Sequence, residues 1–293
     1  MSRLEVLKTY KIYIGGQFPR TESGRYYPLN DAKGKLIGNI CLSSRKDVRN
    51  AVVAARKAFG AWSERAAFNR GQIVYRIAEM LEGRKEQFIA EMIQQGLTRA
   101  KAEREIEMAI DRTVYYAGWC DKFMQISSAV NPVSSSHFNF TVPEPMGVIG
   151  VIAPQESPLL GLISLVIPAI AGGNTCVVLA SETLPLCAVT FAEVLNSSDV
   201  PGGVVNILTG SPAEMMDSLV SHMDVNGVVS AYIGETEKQG IQQSAVVNVK
   251  RSYFYACDWN KSEGEHLHFV TDLQEYKTTW HPIENIGGAT SNY

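Results

Sequence analysis

Two hydrophobic rhythms divide the chain. Up to about residue 133 the apolar positions recur mostly at helical spacing; beyond it they alternate or run together as strands do. Val48, Val52, Ala55 and Phe59 mark a first helix, with Ser44 as N-cap, Asp47 three residues on, and Gly60 as its stop. Ile73, Ile77, Met80 and Leu81 mark a second. Phe88, Ile89, Met92 and Ile93 mark a third that ends at Gly96, and residues 100–123 predict a fourth, amphipathic and rich in Glu and Arg. Ahead of them, Tyr10 to Ile14 alternates before the Gly15-Gly16 turn, and residues 36–41 form another apolar run.

Residues 136–142 alternate as a strand that projects or lies at an edge. Then come short β-branched runs at 148–152, 175–179, 204–208 and 227–232. Each leads into helical spacing, at 159–171, at 187–195, at 215–220 and from near Glu235. Continuous apolar strands alternating with helices predict an α/β fold: a Rossmann-like, doubly wound parallel sheet with helices on both faces. Residues 246–255, 266–270 and 276–281 read as further strands.

Composition narrows the function classes. The 293 residues are 45% hydrophobic and 19% charged, the balance of an ordinary globular protein. Lys+Arg 27 against Asp+Glu 30 leaves a net charge of −3, so no basic field exists to gather nucleic acid. The most apolar stretch, 158–170, is too short to span a bilayer, and the N-terminus lacks the apolar run of a secretory signal. Cys 5, an odd number spread from Cys41 to Cys257, fits a reducing compartment rather than a disulfide framework. The expectation is a soluble cytoplasmic protein with no nucleic-acid or membrane partner.

Particular words at the joints carry more. They are residues 13–18 (YIGGQF), 52–59 (VVAARKAF), 144–154 (EPMGVIGVIAP), 167–175 (IPAIAGGNT) and 200–210 (VPGGVVNILTG). In this order and spacing the chain resembles the aldehyde dehydrogenase superfamily over roughly its first 245 residues. The resemblance implies a nucleotide-binding domain over 1–133 and 147–262, and oligomerisation strands over 134–146 and 266–283. The family's catalytic domain is absent between them. Phe138 and Phe140, and Tyr276, Thr278 and Trp280, alternate with other residues on strands a monomer would expose. The partner implied is a full-length aldehyde dehydrogenase subunit, or a second copy of this chain, through 134–146 and 266–283. This chain then scaffolds or regulates the full-length enzyme.

Family members oxidise aldehydes through a cysteine thiolate. The glycine-rich segment bearing it has no counterpart here. Cys257 has no neighbouring cation in sequence, and Cys176 and Cys187 sit in apolar elements. The resemblance places Asn248 at the general base and Glu156 at the oxyanion-binding asparagine. Neither can do the family's chemistry. No catalytic residue is expected. The family's NAD cleft maps onto Ile152, Pro154, Glu182, Gly210, Gly234 and Glu235, without the lysine that follows the family's second strand. Glu235 at a helix N-terminus, about 5 Å from a phosphate, would cost about 3 kcal/mol at an effective dielectric near 20. It would serve the helix dipole as an anion instead, so no cofactor is expected. The altered cleft could still hold another nucleotide or small ligand. A lower reading has the chain acting on aldehydes within a hetero-oligomer.

His266 and His268, on one face of an expected strand near His281, lack the further ligands of a zinc site, so no metal is expected. Gly172-Gly173 and Gly202-Gly203 read as turns, and the four tryptophans as packing. Glu103, Arg104, Glu105 and Glu107 read as a solvated helix face or a partner's rim.

Overall fold

The computed structural model describes residues 8–31, 33–231 and 234–283. A hairpin, β1 (Tyr26–Asn30) and β2 (Leu36–Cys41), precedes helices α1 (Arg45–Ser63), α2 (Ala67–Gly83), α3 (Lys85–Gln94), α4 (Arg99–Trp119) and the short α5 (Phe123–Ser127). Strands β3 (Ala129–Asn131) and β4 (His137–Pro145) follow. The alternating part comprises β5 (Val148–Ile152), α6 (Leu160–Ala171), β6 (Thr175–Leu179), α7 (Leu186–Asn196), β7 (Val205–Leu208), α8 (Pro212–Val220), β8 (Gly227–Ser230), α9 (Glu235–Val246) and β9 (Arg251–Phe254). A single-turn α10 (His268–Thr271) leads to β10 (Gln274–Pro282).

The expected doubly wound sheet is present, all parallel, in the order β7-β6-β5-β8-β9. Its central strands are buried on both sides, and strand periodicity divides their side chains between two cores. Ile149, Val151, Cys176 and Val178 enter the core beneath α6 and α7, which α2, α3 and α4 back. Val148, Ile152, Val177 and Leu179 enter the other, beneath α1, α8 and α9. From β5 the chain first winds outward through β6 and β7, then returns to β8 on the other side. The crevice between β5 and β8 is therefore the topological switch point.

Two of the family-like words meet at the edge strand β7. The 200–210 word presents Gly202 to the Gly15-Gly16 turn so closely that a Cβ on Gly202 would lie 2.6 Å from the Gly15 carbonyl oxygen. Asn206 fastens the same junction. Its Oδ1 accepts from the Gly15 N–H (2.9 Å), and its Nδ2 donates to the Gly203 and Cys176 carbonyls.

Several expectations need correction. Residues 10–14 make only isolated bridges, Tyr10 with Ile40, Tyr13 with Ile207 and Ile14 with Gln17 across the Gly15-Gly16 turn, because the segment threads along β7 instead of extending a strand ladder. At the start of α1, the Ser44 N–H and Oγ both donate to Asp47 Oδ2 at 2.8 Å, so the cap is as expected. The helix nevertheless continues through Gly60 to Ser63, where buried Trp62 anchors the last turn by donating to the Ile170 carbonyl. Residues 266–273 are not strand: they hold α10, and Phe269 and Val270 turn into the core. Only 274–282 of the expected 266–283 segment is extended, and residues 246–250 close α9 and turn toward β9.

β10 pairs antiparallel with β4 along its whole length, from Gln274 opposite Pro145 to Pro282 opposite His137, with β3 on the far side of β4. Period two puts Phe138 and Phe140 on one face of this sheet and Tyr276 and Trp280 on the other. Phe138 is 46% exposed and Trp280 56%. The sheet is tied to the parallel one by Arg251, whose Nε and Nη2 grip the Glu275 carboxylate at 2.9 and 2.6 Å.

Candidate functional site

At the carboxyl ends of β5, β8 and β9 the switch-point crevice widens into a cavity of about 790 Å³. Its walls are the turn after β5 (Pro154 to Ser157), Glu105 from α4, Ala231 and Gly234 after β8, Glu237 from α9, and the segment 255–260 after β9. Carboxylates dominate: Glu105, Glu156, Glu237 and Asp258 line it, and among the described residues no Lys, Arg or His does. A second cavity of about 760 Å³ adjoins it, sharing Glu105, Glu156, Asp258 and Asn260 and adding Lys101, Arg104 and Lys261.

Two helices open toward this crevice, and each N-terminus holds one of the chain's own carboxylates. At α6 it is Glu105. Its Oε1 accepts from Ser157 Oγ (2.7 Å) and from the Leu160 and Leu159 N–H groups (3.0 and 3.3 Å), donors that a helix start leaves unpaired. Ser157 Oγ in turn accepts from the Gly161 N–H at 2.9 Å. At α9 it is Glu237, folded back so that a Cβ on the N-cap Gly234 would collide with its carboxylate. The anion is supplied by the third residue of the helix rather than the first. A first-position side chain points away from the axis, whereas the third returns over the N-cap. Glu235 is exposed and does not line the cavity.

The expected cleft residues therefore divide. Pro154, Glu156 and Gly234 line the cavity. Ile152 ends β5 wholly buried. Gly210 serves the backbone: at φ +124, a Cβ there would lie 3.0 Å from the Ser43 nitrogen. Glu182 lies exposed beyond β6, its N–H donating to Gln155 Oε1 and its carbonyl accepting from the Tyr27 hydroxyl, both at 2.9 Å. Asn248 is not brought to the site. It precedes β9, and its Nδ2 donates to the carbonyl of Met223, which precedes β8 (3.3 Å), so it sits at the amino ends of the parallel strands. At the carboxyl end of β9 stands Tyr255. Its hydroxyl donates to Asp272 Oδ2 (2.9 Å), and burial foremost, then the Asp272 charge, raises its pKa.

Cys257 is the cysteine that reaches the cavity. Burial, with Glu263 adding to it, pushes its thiol up to about 11, against the pull of Arg112. It is a poor nucleophile at neutral pH. The thiols of Cys176 and Cys187 are raised by burial in the same way, inside the core. Arg112 is buried. It donates to Ser164 Oγ at 2.6 Å, faces Glu265 at 3.7 Å, and has its pKa lowered by burial. His266 and His268 lie with ring centroids 4.7 Å apart and planes tilted by 36°, His268 opening α10 rather than sitting on a strand; His281 is on β10. Among the described residues no group of three His, Cys, Asp or Glu could hold a metal ion.

Glu105, Glu237, Tyr255, Asp258 and Trp259 are among the lining residues that sequence reading missed. Glu237 had a signal, since it lies three residues after a glycine that precedes a helix. Glu105 had none, because its Oε1 partners are 52 to 55 residues away in sequence.

A doubly wound parallel domain with a projecting antiparallel sheet and its crevice at the strands' carboxyl ends defines a Rossmann-like α/β protein. The chain belongs to the aldehyde dehydrogenase family, whose model matches residues 18–253. Mouse cytosolic 10-formyltetrahydrofolate dehydrogenase is 32% identical over 281 residues, covering 89% of this chain and 31% of the relative. Among solved structures, the NAD+ complex of the Bacillus cereus aldehyde dehydrogenase superposes with a TM-score of 0.79 at 28% identity, covering 84% of this chain and 50% of that one. HpcC from Thermus thermophilus gives a TM-score of 0.79 at 29% identity, with 84% and 48% covered. The chain thus spans between about a third and a half of the length of these relatives. Among the described residues no helix is long and apolar enough to cross a membrane.

Proposed function

We propose that this chain is a non-catalytic aldehyde dehydrogenase-like subunit that assembles with a full-length NAD-dependent aldehyde dehydrogenase and scaffolds or regulates it. The observation that carries this reading is the β4–β10 ribbon, nine paired residues long, with aromatic side chains exposed on both faces and the outer edge of β10 unpaired among the described residues. Such an edge is a template for a partner's sheet. Two features of the cleft favour a non-catalytic role. Its cysteine has a thiol pushed up to about 11, and its acidic walls disfavour a dinucleotide. NAD fits these residues poorly, since the helix N-termini that would face its phosphates already carry Glu105 and Glu237. This subunit works in the cytoplasm, alongside its partner.

Native mass spectrometry of the tagged protein, purified from its own host at native abundance, tests the proposal. A fixed-stoichiometry complex with a full-length aldehyde dehydrogenase supports it. A homo-oligomer alone, or aldehyde oxidation by the isolated chain with NAD, would overturn it.

A further inference from the structure

Helices α2 and α4 pack side by side, and each turns one apolar face to the core: Ile73, Ile77 and Leu81 on the first, Ile106, Ala109 and Tyr116 on the second. Each also carries a second stripe at helical spacing. Phe68, Gly71 and Tyr75 on α2, with Val114, Ala117 and Gly118 on α4, line one open groove of about 600 Å³, a volume typical of small-ligand sites. Phe68 is 63% exposed and Tyr75 52%, so two aromatic side chains border the groove uncovered. The two glycines differ in what they explain. A Cβ on Gly71 would lie 3.1 Å from the Ala117 carbonyl oxygen, so the close approach of the helices requires that glycine. A Cβ on Gly118 would meet one atom beyond its own helix, Lys122 Nζ at 3.7 Å, and its φ is not positive. Neither packing nor backbone conformation calls for glycine there, and helices disfavour it. What the missing side chain does is keep the groove floor open. The same distance places the Lys122 ammonium over that floor, and among the described residues it has no ion pair and no hydrogen bond.

We propose that the α2–α4 groove is a binding site for a free medium-chain carboxylate. The alkyl chain lies along the floor of Gly71 and Gly118, between Phe68, Tyr75 and Val114, and the Lys122 ammonium pairs with the carboxylate. Each stripe runs seven residues, roughly 10 Å at the helical rise, which accommodates most of a decanoate chain. Asp121 shares the rim, so the lining has no net charge and does not gather small hydrophilic anions. Burial of the chain supplies the affinity, and Lys122, the charge that lies over the floor, sets the sign of the head group. The groove shares no residue with the switch-point cavity or with the β4–β10 ribbon, so this assignment stands or falls independently of the subunit reading.

Isothermal titration calorimetry of the full chain with decanoate, with decylammonium as the cation of matching length and butyrate as the short anion, tests it. Decanoate is expected to bind saturably at one site, decylammonium more weakly, and butyrate not at all. Gly118→Leu, which puts a side chain into the groove and not into the core, should keep its circular dichroism and lose decanoate affinity by about tenfold or more. Lys122→Gln, on an exposed side chain, should lower decanoate affinity by about two- to fivefold and leave decylammonium no weaker. Absence of saturable decanoate binding would overturn the proposal. So would decylammonium binding as tightly as decanoate, undiminished binding by folded Gly118→Leu, or decanoate affinity unchanged in Lys122→Gln.

Discussion

Deleting residues 275–293 separates an interface strand from a core strand. The deletion removes β10 from Glu275 onward, together with a tail outside the described residues, but keeps the two residues that enter the interior. These are Leu273, 1% exposed, and Gln274, whose Nε2 donates to the Gly172 carbonyl at 3.2 Å. What is lost is cross-strand pairing between mostly exposed residues, together with the half-exposed Arg251–Glu275 ion pair that ties the two sheets. The pairing includes Thr278 with Thr141 at 2.8 Å and Lys277 with Glu144 at 2.7 Å, while Glu275 opposite Glu144 is a like-charge pair. Exposed cross-strand pairs contribute about 0.2–1 kcal/mol each, and the low end applies here. The total loss is about 2–4 kcal/mol, against a typical domain stability of about 5–15 kcal/mol. For a chain of this size that lowers Tm by about 3–7 °C. Thermal melts by circular dichroism should therefore remain cooperative, and native mass spectrometry should show a monomer where the intact chain assembles. Loss of the cooperative transition would refute the reasoning by making β10 part of the core. Undisturbed assembly would place the interface elsewhere.

Other expectations follow from single side chains. Glu237→Gln should raise NAD affinity by about tenfold or more, measured by calorimetry, while Glu235→Ser should leave it nearly unchanged; the reverse ranking would mean that α9 presents a different residue to the cleft. Cys257, with its thiol at about 11, should react with iodoacetamide slowly at pH 7.5 and about tenfold faster per pH unit up to about pH 10. A rate already at its plateau at pH 7.5 would contradict this. Lys250, pushed down to about 8 by burial, donates to the His222 and Val225 carbonyls at 2.8 and 2.7 Å. Between pH 8 and 10 the unfolded chain keeps that proton while the folded chain loses it. Stability to urea should therefore rise over this window in the native protein and not in Lys250→Met. Gly202→Ala, which would bring a Cβ to 2.6 Å from the Gly15 carbonyl, should cost about 2–3 kcal/mol in urea denaturation; an unchanged midpoint would mean that the Gly15-Gly16 turn yields freely.

How much was legible in the chain depends on how far apart the interacting residues lie. The parallel sheet, its helices and its two-sided burial follow from local rhythm, because a strand covered on both faces must be apolar at every position, as at 148–152 and 175–179. The joints were legible for a related reason: a close backbone approach needs particular residues, as Gly202 and Asn206 do against Gly15. Even the cleft's place follows from the fold class, since a doubly wound sheet opens at its switch point. The occupants of that cleft were not legible in the same way. Sequence order put Asn248 near the end of α9, yet a parallel strand carries its chemistry at the far end, so Tyr255 and not Asn248 reaches the crevice. Glu235 and Glu237 differ by two residues, and helix geometry turns the second, not the first, over the N-cap. Glu105 has the pattern of a solvated helix face and becomes buried only when α4 packs beside the start of α6, where unpaired N–H groups need an acceptor. Periodicity reports which side of an element is covered. Which charge meets which helix end depends on the packing of elements distant in sequence, and no local pattern encodes it.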